Sequence, residues 1–260
     1  MLSVGLAILM ATQAVLGLVF PDGYRDTGYV RATWCGNDWV TLVVGVPVLI
    51  TGLLLERRDS VRGRLAWMGA LGYGVYNYAF YLFGAALNVF LPLYVGTFLL
   101  ALVPLILALS CTDAAGVAAT FRSSTPVRLV GGYLIVVAAG LTAVWLGMWA
   151  AHVFAGRPTP VDPEAFKIVA ALDLTVMVPA LLTGGVLLRR KHPWGYVIAP
   201  IAAIQGALYL LVLSVNSVIF IVRGLAEVPG ELPVWGILTT ATSAAAMLLL
   251  MNTQERCRDG

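Results

Sequence analysis

Charge is scarce in this sequence: 11% of its 260 residues are charged and 60% are hydrophobic. A soluble domain carries about a quarter charged residues, so a water-soluble fold is excluded. Lysine is scarcer still, because Lys167 and Lys191 are the only two and both flank apolar runs. A Schiff-base chromophore buried within a span is therefore excluded. The two histidines, His152 and His192, fall near opposite ends of the predicted spans and cannot share a metal, so each is read as an interfacial hydrogen-bonding group. Of three cysteines, Cys35 lies on one predicted side and Cys111 and Cys257 on the other, which leaves no pair to close a disulfide. There is no CxxC, no HExxH and no glycine-rich phosphate loop, so no metal, nucleotide or other cofactor is expected. The basic residues sit between apolar runs, a topology signal with no nucleic-acid surface in it.

Long apolar runs fill the rest. They fall at about 3–20, 39–55, 65–89, 92–111, 128–154, 166–188, 194–221 and 233–251. A spanning helix needs about 20 apolar residues, so the sequence predicts an all-α polytopic membrane protein with eight transmembrane helices. The first run has no basic residue ahead of it and no small-residue cleavage motif before Pro21, and is read as a retained helix. Eleven Lys and Arg lie in one set of alternate connections: Arg57, Arg58, Arg62, Arg64, Arg122, Arg128, Arg189, Arg190, Lys191, Arg256 and Arg258. Five lie in the other: Arg25, Arg31, Arg157, Lys167 and Arg223. The richer side is expected to be cytoplasmic, which places both termini inside and the protein in the cell membrane.

The chain also resembles itself. Pro47, Thr51, Gly52, Arg57 and Arg58 recur at identical spacing as Pro179, Thr183, Gly184, Arg189 and Arg190, 132 positions on. In the next helices Asn77, Tyr81 and Asn88 align with Gln205, Tyr209 and Asn216 at an offset of 128. Leu91-Pro92-Leu93-Tyr94 matches Leu232-Pro233-Val234-Trp235, and Val19-Phe20 more weakly matches Val153-Phe154. Shared leucine content would not reproduce such punctuation. The expected organisation is a first four-helix repeat over 1–112, a cytoplasmic linker over 113–127 and a second repeat over 128–260. An even number of spans per repeat makes the two parallel, about an axis normal to the membrane.

Polar side chains within the runs are few, and in hydrocarbon each must be satisfied by protein or a cavity. At about 100° per residue, Asn77, Tyr81 and Asn88 share one face of the third helix, with Tyr73 extending the stripe and Tyr76 and Tyr78 flanking it. Gln205, Tyr209 and Asn216 do the same on the seventh, and Gln13 is the one amide outside the stripes. Asp173 lies inside the sixth helix, where an unpaired carboxylate costs several kcal/mol. Its counterpart is Thr41, and Asp38 stands almost one turn before Thr41. Pro47 and Pro179 each remove a backbone donor mid-helix. The predicted site is an outward-facing cavity between the repeats. Asp173 forms its base, Asn88 and Asn216 lie beside it, Tyr81 and Tyr209 below, and Asp38, Thr41, Asn77 and Gln205 complete the lining. Trp34, Trp39, Trp67, Trp194 and Trp235 are read as an interfacial belt, and Trp145 and Trp149 as lipid-facing or packing residues.

Three functions fit these features. One is the binding or transport of a small solute or lipid-like molecule. A second is a membrane-embedded enzyme acting on a lipid or isoprenoid, with Asp173 as general acid. The third is an accessory subunit whose polar stripes bind a membrane protein partner. Membrane lipids are the expected surroundings in each case, with anionic headgroups at the paired arginines.

Overall fold

The computed structural model describes residues 1–225 and 230–254, and among these its secondary structure is helical apart from one isolated bridge between Phe121 and Thr253. The elements are α1 (Leu2–Val19), α2 (Gly28–Val40), α3 (Val46–Glu56), α4 (Val61–Gly84), α5 (Leu91–Ser110), α6 (Ala114–Ala119), α7 (Val127–Ala155), α8 (Pro163–Leu172), α9 (Val178–Arg189), α10 (Gly195–Val222) and α11 (Leu232–Met251). Arg256, Cys257 and Arg258, counted above, lie outside the described residues. Seven continuous helices are long and apolar enough to cross a membrane, so this is a multi-pass membrane protein. These are α1, α2 with α3, α5, α7, α8 with α9, α10 and α11. Helix α4, 24 residues long, is more polar and lies at the centre of the bundle.

The second helix begins at Gly28, about three turns earlier than the apolar run from Trp39 suggests. Residues 28–38 carry Arg31, Thr33, Asn37 and Asp38, which mask them from a hydropathy reading. Several of these are nonetheless buried, because this stretch packs on α10, with Gly36 against Asn216. The third helix ends at Gly84, short of the expected boundary at 89, and Asn88 therefore falls in the turn before α5. Its Oδ1 accepts from the Phe90 amide at 2.9 Å and its Nδ2 donates to Tyr94 at 3.4 Å. An Asn in this position stabilises a turn by bonding the backbone two residues on.

Both proline-containing spans widen at matching points. Thr41–Gly45 and Asp173–Met177 are π-helical turns of five residues, each running into Val-Pro. Val46 donates its amide to the Thr41 carbonyl and Val178 to that of Asp173, one residue further back than in an α-helix. Proline has no amide to donate and its ring collides with the carbonyl four residues earlier; the wider turn accommodates both effects.

Helices α4 and α10 form the central layer and pack on each other, α4 also on α3 and α5, and α10 also on α2, α9 and α11. The hairpins α3–α4 and α9–α10 close in the same way. Gly52 lies on the backbone of Trp67 and Gly184 on that of Ala199; Gly63 lies against Leu55 and Glu56, and Gly195 against Leu187 and Leu188. These contacts recur at an offset of 132, one helical turn from the 128 used to align the polar stripes.

The segment 113–127 is more than a linker. Asp113 caps α6 by accepting from the Gly116 amide, and Ala114 and Val117 are buried against Leu65, Met68, Val197 and Ile201. At the same end of the bundle Arg62 donates to the Thr253 hydroxyl and carbonyl at 2.9 and 2.6 Å, and Trp67 donates to Ser3 at 3.0 Å. The first and last helices therefore share the arginine-rich end.

A side chain at Gly52 would bring a Cβ within 2.6 Å of the Trp67 backbone nitrogen. Gly52→Leu is expected to cost at least the ~1–3 kcal/mol of an overpacked site. Gly140→Ala, facing open space, should be neutral or slightly stabilising. Unfolding in mixed micelles followed by circular dichroism checks both.

Candidate functional site

Two carboxylates, Asp38 and Asp173, are completely buried at 0% exposure. The ion pairs among the described residues join Arg31 to Asp22, Arg64 to Glu56 and Lys167 to Glu164, so neither buried acid has a cation. Neutral donors take that role. Asp38 Oδ1 accepts from Tyr81 at 2.7 Å and from Gln13 at 3.1 Å, and Oδ2 accepts from Tyr24 at 2.7 Å. Asp173 Oδ1 accepts from Tyr76 at 2.6 Å, and Oδ2 from Trp145 at 2.8 Å and Tyr209 at 3.3 Å. Hydrogen bonds to a charged acceptor are stronger than neutral ones, and three of them offset part of the desolvation of a carboxylate.

Between the acids lies a smaller group, in which the Thr41 hydroxyl bonds that of Tyr73 at 2.8 Å and accepts from Asn77 at 3.3 Å. Helix α4 serves all three groups: Tyr73 and Asn77 reach Thr41, Tyr76 reaches Asp173, Tyr81 reaches Asp38, and Tyr78 donates to Gln13 at 3.0 Å. The Asn77 to Thr41 bond and the Tyr209 to Asp173 bond are again 132 positions apart at both ends.

The acids differ in surroundings. Asp38 is held by α1, α2, α4 and the turn after α1, beside a stack of aromatic rings. Tyr81 packs on Trp34 at 4.6 Å and on Tyr94 at 5.1 Å between centroids, and Tyr24 packs edge-on to Phe90 at 5.2 Å. Asp173 draws its donors from α4, α7 and α10, and Tyr76 and Tyr209 meet edge to face at 4.9 Å.

A cavity of about 450 Å³ opens at the end of the bundle opposite the arginine-rich one, lined in part by Gly17, Tyr24, Arg31, Cys35 and Arg223. Gly17 and Tyr24 connect it to Asp38. A Cβ on Gly17 would fall 2.2 Å from Asp38 Oδ2 and 2.3 Å from the Tyr24 hydroxyl, so the acid lies directly behind a bare α-carbon. Tyr24 follows a short 3₁₀ turn over Pro21–Gly23 and is the one Asp38 donor that no long helix carries. Burial and the Asp38 carboxylate beside it push its phenol well above the usual range, which keeps it a donor.

The structure thus separates the residues grouped in the sequence reading. Asp38 and Asp173 occupy distinct clusters, Tyr81 belongs to the first and Tyr209 to the second. Asn88 holds a turn, and Asn216 packs on Gly36 with its Oδ1 unpartnered among the described residues. Gln205 lies against Gly72 of α4 with its Nε2 likewise unpartnered. Trp34 and Trp145 are not belt or lipid residues: Trp34 is buried and donates to Asp26 at 2.9 Å, and Trp145 donates to Asp173. Tyr24 and Trp145 were missed as site residues, and Gln13 was noted only as an isolated amide.

No protein-family model, curated protein or solved structure matches the chain. The reading of the site rests on its geometry.

Removing the Tyr76 hydroxyl leaves Asp173 Oδ1 without its closest donor. Tyr76→Phe should destabilise the protein by ~1–3 kcal/mol, above the ~0.6 kcal/mol typical of hydrogen bonds between membrane helices. A double-mutant cycle with Asp173→Asn should show clear coupling, whereas additive losses would mean that the bond contributes little.

Proposed function

We propose that this membrane protein binds a small solute from the outer face of the cell membrane and carries it inward, at a site centred on Asp38. The observation that carries this reading is the cavity whose wall residues Gly17 and Tyr24 both touch the Asp38 carboxylate. One side chain in a turn, Tyr24, held by its bond to Asp38 and by one from Gln13, stands between the cavity and a buried acid that has no cation among the described residues.

The orientation follows from the lysine and arginine bias, with the arginine-rich end cytoplasmic, both termini inside, and α4 crossing as the eighth span. The organisation is two parallel four-helix repeats, 1–112 and 128–260, joined by 113–127. Supporting it are the π-turns at Thr41 and Asp173, the hairpin contacts of Gly52 and Gly184, and the hydrogen bonds of Asn77 and Tyr209, all related by one offset. In this arrangement Asp173 is the second half's polar centre. Its bond from Tyr76 ties α4 of the first repeat to the second and makes it the natural point at which occupancy of one half is felt by the other.

Native mass spectrometry of the detergent-purified protein, with identification of retained small molecules, tests the reading. A polar solute retained by the wild type, lost in Asp38→Asn and kept in Asp173→Asn is the expected result. An isoprenoid or lipid lost only in Asp173→Asn would instead favour the membrane-embedded enzyme, and a second polypeptide with no solute would favour the accessory subunit.

A further inference from the structure

The chemistry of the cavity narrows the class of solute, given the Asp38 site proposed above. Its two charged regions have opposite sign and lie at different depths. Arg31 and Arg223 line the cavity. Arg31 pairs with Asp22, which also lines the cavity, at 3.2 Å in an exposed pair, while Arg223 has no carboxylate within ion-pair distance among the described residues. At the wall stand Tyr24 and, behind it, Asp38, whose donors are all neutral.

A simple anion would meet the arginines and then be repelled by Asp38. A simple cation would suit Asp38, and the Tyr24 ring that stands between it and the cavity, but would have to pass Arg31 and Arg223, which among the described residues have Asp22 as their one carboxylate partner. We propose that the cavity selects a small zwitterion, with a carboxylate toward Arg223 and Arg31 and an ammonium group toward Tyr24 and Asp38. The about 450 Å³ available is within the range of small-molecule sites and holds a compact zwitterion with room to spare.

Entry to the acid requires that Tyr24 swing aside, giving up its bond to Asp38, the bond it accepts from Gln13 at 2.9 Å and its packing on Phe90. Gln13 and Tyr81 keep two of the Asp38 hydrogen bonds, while the cationic group takes the place of the third by its charge and packs against the aromatic rings beside the acid. Gly17 sets the aperture, since a methyl group there would occupy the contact between the cavity and Asp38 Oδ2.

Thermal unfolding of the full chain in detergent, with glycine betaine, tetramethylammonium and acetate as probes, separates the possibilities. Glycine betaine should raise the midpoint of the wild type by several degrees at millimolar concentration, with tetramethylammonium and acetate each far weaker. The shift should disappear in Asp38→Asn and in Gly17→Ala, and fall at least about tenfold in apparent affinity in Arg223→Gln. Asp173→Asn, which is away from the cavity, should keep it and so shows that loss of binding is not loss of fold. If tetramethylammonium protects as well as glycine betaine and Arg223→Gln is silent, the zwitterion is wrong and the Asp38 site stands. Protection by acetate alone, indifferent to Asp38→Asn, or protection by none of the three overturns both.

Discussion

Two carboxylates held in a membrane bundle with no cation beside them are the constraint around which the rest of this protein is arranged. Each would cost several kcal/mol if left bare in hydrocarbon, and each is instead surrounded by phenol, indole or amide donors. Supplying those donors takes side chains from three different parts of the chain for each acid. That need explains why α4, the least apolar of the long helices, lies at the centre with five polar side chains facing three neighbours. The apolar helices α5, α7 and α11 can then lie outside, where their exposed Leu, Val and Ile side chains suit lipid.

The prolines connect this chemistry to the backbone. A π-turn starts six residues before each proline, and its first residue is Thr41 in one span and Asp173 in the other. Widened turns recur at functional sites because they turn a side chain inward that a regular helix would direct elsewhere. The same local event therefore places a polar side chain in each of the two proline-containing spans, a hydroxyl in one and a carboxyl in the other. Asp38, nearly a turn before Thr41, restores a carboxylate to the first half but closer to the end where the cavity opens.

Much of this was legible in the sequence, for physical reasons that also mark where legibility stops. Apolar runs and mid-helix prolines are strong local signals, and the membrane-spanning helices, Asp173 and the paired prolines followed from them. The start of α2 was hidden because a buried helix that serves polar partners does not look apolar. Asn88 was placed on a helix face because its run continues past Gly84, whereas the chain turns there and uses the amide as a turn bond. Trp145 near the end of a long helix carries the same composition signal whether it faces lipid or an acid. Tyr24, in a turn without a motif, becomes meaningful only when folding brings it to Asp38. The polar stripes match at an offset of 128 and the close backbone contacts of the hairpins at 132, two offsets that present nearly the same helix face.

The central claim is that the cavity opens to the outside and Asp38 lies behind its wall. Cys35, partly exposed in that cavity, and Cys111, exposed near the opposite end, are natural reporters of it. In a Cys257→Ser background, a membrane-impermeant maleimide applied to intact cells should label Cys35, and should label Cys111 only after permeabilisation. Labelling of Cys111 in intact cells, with Cys35 protected until the membrane is opened, would contradict the account.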